Sequence, residues 1–349
     1  MEFGMFHEFA WASGDSETDA FDRSFAEVDA AEQWGLDVMW LAELHSAPDR
    51  SVLAAPLTVA AAIAARTRRI RIGTAVQVLP LCHPLRLAEE AATVDQISHG
   101  RLIFGVGRSG FPRTYEAYGV PYAESQERFA ETLDIIKQAW AEPSFSYSGK
   151  YFDFRNIHLV PKPYQKPGPE IRIAINSVDS FPAMGAQGYP IFAAVRLGTL
   201  SELGPNLLAY RAACREASHA ASNKVYLRLP IYIADTSEAA RSEPEESIMF
   251  FYRWLGEQLE ASASRAGARA IEQRAERGQR LQRLSYDDAL RDKVVVGTPE
   301  AVVDRLQALR EELGLDGILA ELNCGSLIAH ERVMRSLRLL CEEVMPRFR

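Results

Sequence analysis

The feature that most constrains this chain is an alternation that runs almost from end to end. Short apolar runs at 2–8, 37–43, 70–79, 102–107, 171–176, 190–195, 225–234 and 317–322 are separated by stretches with helical spacing. Residues 19–34 carry Phe21, Phe25, Val28, Ala31 and Trp34 on one helical face, and residues 84–98 carry Leu85, Ala88, Ala92 and Val94 behind Pro84. Residues 125–141, 200–218 and 329–344 read the same way. Strands that alternate with helices pair in parallel, because each crossover returns the chain to the same edge of the sheet. About eight such units in one chain predict an α/β fold, a closed (β/α)8 TIM barrel with insertions, over 1–349. Residues 143–169, rich in aromatics, Pro and Gly, predict a hairpin plus loop. Residues 260–294, rich in Arg and Ala and weakly apolar, read either as a mobile lid or as a solvated helix without a role.

Gly105-Val106-Gly107-Arg108-Ser109-Gly110 satisfies G-x-G-x-x-G, the pattern of a dinucleotide loop. Such a loop should follow a strand, open a helix and lead to a second buried strand. Only the first condition holds. Phe111-Pro112-Arg113-Thr114-Tyr115 follows and reads as a loop, the next helical pattern begins near Ser125, and the sequence after it is irregular. The glycines therefore read as small residues at a barrel strand end, where functional groups of this fold gather. Arg108 there offers a fixed fork of donors suited to phosphate, or a partner for a surface carboxylate.

Other strand ends are polar too: His7, Glu43-Leu44-His45, Gln77, Asn176-Ser177, Arg196 and Glu321-Leu322-Asn323. Asn176 and Ser177 read as a cap for the helix that follows, or, with Ser180, as a phosphate site at its N-terminus. The histidines His7, His45 and His83 lack metal-ligand spacing, so no metal is expected. No G-x-S-x-G elbow and no G-x-x-x-x-G-K loop is present, which leaves hydrolytic and nucleoside-triphosphate chemistry without support.

Composition narrows the partners. A net charge of −8 without a basic stripe gives no footprint for nucleic acid or an anionic membrane. Cys82, Cys214, Cys324 and Cys341 are scattered, with no disulfide or zinc pattern. The first residues lack a basic region and a long apolar core, and no apolar run is long enough to span a bilayer, so a cytoplasmic protein is expected.

"GTAVQVLPLCHPLRLAEEAATVDQISHGRLIFGVGRSG" (73–110) strongly resembles the bacterial luciferase-like family of flavin-dependent monooxygenases. "WGLDVMWLAELH" (34–45), "AINSVDSFPAMGAQGYP" (174–190), "VVGTPEAVVDRL" (295–306) and "GSLIAHERVMRSLRLLCEEVMP" (325–346) extend the resemblance over nearly the whole chain. It implies a barrel that binds reduced FMN, supplied by a separate flavin reductase. It also implies that one atom of O2 is inserted into a small organic substrate through a flavin C4a-(hydro)peroxide. By position, Arg108 resembles the FMN-phosphate arginine, Asn176 and Ser177 the pair that meets the same phosphate, and Ser180 an added hydroxyl. Ala75 and Val76 fall where the family often has a non-prolyl cis peptide against the flavin ring. The luciferases carry Glu-His-His after the second strand, with the first histidine catalytic; here Leu44 stands at that position, and Val195 replaces a tryptophan near the flavin. Light emission is therefore not expected. His45 becomes the candidate acid or base, with Glu43 to orient it. A homodimer built through helices such as 54–66 and 84–98 is implied as well. Two alternatives stay open: a deazaflavin-dependent dehydrogenase on a related barrel, and a non-catalytic flavin-binding subunit.

Overall fold

The computed structural model describes residues 1–11, 14–48, 50–195, 197–263 and 271–349, without the side chains of 271–273. Its strands are β1 (Glu2–His7), β2 (Val38–Leu41), β3 (Arg71–Thr74), β4 (Gln77–Val78), β5 (Leu102–Gly107) and β6 (Phe145–Ser148). They continue as β7 (Asp153–Ile157), β8 (Glu170–Ala174), β9 (Ile191–Ala194), β10 (Val225–Ile233), β11 (Val295–Gly297) and β12 (Gly317–Glu321). Eight of them close a parallel ring in the order β1-β2-β3-β5-β8-β9-β10-β12, with β12 back on β1. This is the (β/α)8 barrel that the alternation predicts. β11 extends the edge of β10, and β6 and β7 form a separate antiparallel hairpin.

Helices cover the ring outside, among them Glu17–Trp34, Pro56–Arg66, Pro84–Ser98, Ser125–Ala141 and Pro299–Leu313. Helix ends follow local chemistry. Ser16 and Asp19 form a capping box at the start of Glu17–Trp34, and Gly35, at φ 88°, closes it in the left-handed region. Outward-facing strand residues such as Phe3, Met5, Met39 and Phe104 pack under the helices in the main core. Inward-facing residues fill the ring: Phe6, Trp40, Ile103, Phe192, Tyr226 and Leu319. Trp40 claims the space beside both neighbouring strands, since a Cβ at Gly4 or Gly73 would fall 2.3 Å or 2.1 Å from its ring.

Two charged groups sit inside the ring, one at each end. At the strand starts, Arg172 pairs with Glu2 at 2.6 Å and Glu170 at 2.9 Å, and lies 3.6 Å from the Tyr226 ring centre. At the strand ends, Arg228 takes Glu321 (2.8 Å) and Glu8 (3.3 Å), and lies 3.5 Å from the Phe6 ring centre. Burial alone would lower the pKa of Arg228, but Glu321 and Glu8 outweigh it and hold the group charged. Arg50, from the segment after β2, grips Glu8 with two nitrogens and stacks 4.0 Å from the Trp254 ring centre.

Three local readings change. The run 70–79 is two strands, broken at Ala75-Val76. Residues after Gly110 form a short helix, Pro112–Ala117, with Pro at its first turn, where the sequence read as a loop. Asn176 and Ser177 do not cap the next helix. The Ser180 N–H donates to the Ser177 carbonyl, so a turn comes first and the helix runs Ser180–Gln187. Residues 264–270 of the stretch read as a lid, and Arg196, lie outside the described residues. On either side of 264–270 are the helices Glu245–Ala263 and Ile271–Gln282.

Candidate active site

The C-terminal strand ends form one rim, and the residues singled out in the sequence divide into two groups on it. The first stands after β5 and β8, which pair directly, Val106 opposite Ile173. Arg108 leaves β5 and Asn176-Ser177 leaves β8, so both emerge from neighbouring strands about 5 Å apart on the same rim. Arg108 is half-buried, and one guanidinium nitrogen donates to Ser125 Oγ at 2.9 Å. The Tyr115 hydroxyl donates to its backbone carbonyl. No carboxylate among the described residues pairs with Arg108, unlike Arg50, Arg172 and Arg228. Asn176 and Ser177 are exposed, and Ser177 Oγ lies 2.5 Å from Ser180 Oγ. A positive fork, two hydroxyls and an amide on adjacent strand ends fit a phosphate.

The first two glycines of the 105–110 motif serve packing. A Cβ on Gly105 would sit 1.8 Å from the Thr74 carbonyl oxygen, and one on Gly107 would sit 2.6 Å from Val76 Cγ2. They let the broken strand lie flat on β5. The Ala75-Val76 peptide there is cis, the conformation that the resemblance implied.

The second group follows β2. Glu43 is buried at 2% side-chain exposure. One carboxylate oxygen lies 2.8 Å from His45 Nε2, and the other accepts from the Gln77 amide at 2.6 Å and the Val78 N–H at 2.8 Å. The other ring nitrogen of His45, Nδ1, lies 2.9 Å from the hydroxyl of Tyr118. Tyr118 follows the short helix after Gly110 and was not picked out in the sequence. Burial pushes its pKa above that of an ordinary phenol, and Glu43 and Cys82 add to the rise. Leu44, at the luciferase catalytic position, carries no proton to give.

Among the described residues, the remaining polar strand ends His7, Glu321 and Asn323 have structural partners. His7 Nε2 lies 2.8 Å from Glu27, and His7 Nδ1 accepts from the Phe9 N–H. Glu321 holds Arg228, and Asn323 accepts from the Ile328 N–H. A cavity of about 510 Å³ opens between β1, β12 and the helices Glu17–Trp34 and His330–Leu339, across the ring from Arg108. His7, Glu8, Glu27, Glu321 and His330 line it. Among the described residues no group of three or more His, Cys, Asp or Glu side chains is placed to hold a metal ion, and no helix is long and apolar enough to cross a membrane.

The profile of the luciferase-like monooxygenases matches residues 1–317. The chain belongs to that family. As a luciferase-like oxidoreductase it is 26% identical, over 100% of its length and 96% of the relative's, to the oxygenase component of a flavin-dependent trigonelline monooxygenase from Acinetobacter baylyi. Its fold matches, at a TM-score of 0.83, the oxygenating constituent of 3,6-diketocamphane monooxygenase from Pseudomonas putida, solved with FMN; the two are 22% identical over 99% and 98% of the chains. It also matches an F420-dependent secondary alcohol dehydrogenase at a TM-score of 0.76 and 16% identity, over 100% and 99% of the chains. The first of these structures holds FMN and the second an F420-acetone adduct.

Proposed function

We propose that this luciferase-like protein is the oxygenase of a two-component system. It takes reduced FMN from a separate flavin reductase and inserts one oxygen atom of O2 into a small organic substrate. Reduced FMN, when bound, supplies the electrons that activate O2. Arg108, Asn176, Ser177 and Ser180 hold the phosphate, and Ala75 and Val76 support the ring. Glu43 and His45 handle protons. The protein works as a cytoplasmic homodimer.

The observation that carries this reading is the Arg108 guanidinium, half-buried with no carboxylate partner among the described residues, at the end of β5 and so on the same rim as Ser177 at the end of the paired β8. Anaerobic titration tests it, with reduced FMN in one arm and the reduced deazaflavin cofactor in the other. Tight binding of reduced FMN supports the oxygenase. A preference for the deazaflavin supports a dehydrogenase. Rapid mixing of the reduced-FMN complex with O2 separates an oxygenase, which gives a long-lived absorbing species, from a carrier, which reoxidises in one phase.

A further inference from the structure

The oxygenase reading assigns His45 the proton chemistry, yet the ring has no free nitrogen. Nε2 faces Glu43 at 2.8 Å and Nδ1 faces the Tyr118 hydroxyl at 2.9 Å. Glu43 accepts from Gln77 and the Val78 N–H on one oxygen and faces His45 Nε2 with the other. With Nε2–H toward Glu43, Nδ1 is left to accept from the phenol. Exposure rises along the chain of groups. The Glu43 side chain is 2% exposed and that of His45 10%, whereas Tyr118 is 48% exposed.

We infer that Tyr118 is the terminal proton-transfer group of a Glu43–His45–Tyr118 relay, so that protons enter and leave His45 through the phenol oxygen. The inference rests on the oxygenase reading above. When the ring is an imidazolium, Nδ1–H donates to the phenol oxygen and the Tyr118 O–H is released to point elsewhere. The O–H bond then breaks as its proton passes to an acceptor oxygen. The Nδ1–H bond breaks as that proton replaces it on Tyr118, and the imidazolium ends neutral. No electron moves through the relay; reduced FMN and O2 carry the redox change. Glu43 stabilises the imidazolium and holds the ring in register, as the buried carboxylate does in other carboxylate–imidazole–hydroxyl arrays. The other titratable groups facing the relay are Cys82 and Tyr115. Cys82 stays a thiol, pushed up to about 12 by burial and then by Glu43 and Glu90. Tyr115 is also driven up by burial and donates to the Arg108 carbonyl.

The test compares the unaltered protein with Tyr118→Phe, which keeps the ring contact with His45. Nitrogen-15 spectra of the flavin-free protein should show the Nε2–H tautomer, and in Tyr118→Phe the Nδ1 signal should move toward that of an unbonded imidazole nitrogen. Reduced FMN should bind both proteins within about twofold, because Tyr118 is not in the phosphate group. Oxidation of the bound reduced-FMN anion (FMNH⁻) by O2 consumes one proton to give FMN and H2O2, and it should slow by at least ~10-fold in Tyr118→Phe. The solvent deuterium isotope effect seen in the unaltered protein should shrink. A ring protonated on Nδ1 at rest overturns the relay, as does an unchanged oxidation rate in Tyr118→Phe. Failure of the unaltered protein to bind reduced FMN is visible in the titration itself and overturns the underlying reading, independently of the ring tautomer.

Discussion

His45 Nε2 stands 2.8 Å from Glu43 Oε1, and that contact holds the ring with its other nitrogen toward Tyr118. Glu43 accepts from Gln77 and the Val78 N–H on one oxygen and faces His45 with the other, at 2% side-chain exposure; a glutamine keeps the first contact through its carbonyl but turns an N–H toward the ring. Glu43→Gln is therefore expected to slow oxidation of bound reduced FMN more than it weakens flavin binding. His45→Ala should slow turnover at least as much, since a positioned acid or base is worth about 10²–10⁴-fold. Stopped-flow oxidation after anaerobic loading checks both; a full rate in His45→Ala moves the proton chemistry elsewhere.

Gly105 leaves room for the broken third strand. An alanine there places Cβ 1.8 Å from the Thr74 carbonyl oxygen, which is backbone and cannot swing away. Gly105→Ala is expected to cost about 1–3 kcal/mol, the usual range for overpacking. Gly110→Ala meets nothing within 4 Å and should be close to neutral. Urea unfolding of the two variants gives the comparison, and equal midpoints would contradict it.

The cluster His7–Glu27–His330 ties β1 to two helices through contacts of 2.8 Å and 2.9 Å. The hydrogen bond to Glu27 raises the pKa of His330 above its ordinary value. Its stabilising contribution is therefore complete below the ordinary histidine pKa and is lost as pH rises through the raised one. Burial pushes Glu27 the other way, but His7 and His330 outweigh it and leave the carboxyl below its usual range. That contribution is present above the ordinary carboxylate pKa and is lost on acidification through the lowered one. The stability gap between the unaltered protein and His330→Gln should be widest in mildly acidic solution and should narrow above neutrality. A gap that widens with rising pH would contradict this.

Arg228 and Glu321 face each other inside the ring at 2.8 Å, both buried. Arg228→Met strands Glu321, while Arg50 keeps Glu8, and should cost about 3–5 kcal/mol, as removal of one partner from a buried pair does. Surface pairs such as Arg86–Glu90 should give less than about 1 kcal/mol when broken. Parallel denaturation curves measure both.

The barrel was legible because its strands and crossover helices repeat two periods in turn, and tertiary packing did not override them. Arg108, Asn176 and Ser177 were legible because polar residues at the ends of apolar runs stand out. Tyr118 was not: it lies in a segment read as a loop, 73 residues from His45 in the chain. The Arg50–Glu8–Arg228–Glu321 network was hidden for the same reason, its members coming from four separate segments. The one available signal was an arginine inside the apolar run 225–234. The helix starts at Ser180 behind a turn in which the Ser180 N–H donates to the Ser177 carbonyl and the Phe181 N–H to that of Val178, which composition does not encode.

The central claim is that one flavin phosphate lies between the ends of β5 and β8, on Arg108 and Ser177. Anaerobic titration of reduced FMN into the unaltered protein and into Arg108→Ala tests it most directly. A charge-assisted hydrogen bond is worth about 1.5–3 kcal/mol, so the dissociation constant should rise about tenfold or more. An unchanged dissociation constant in Arg108→Ala would contradict the account.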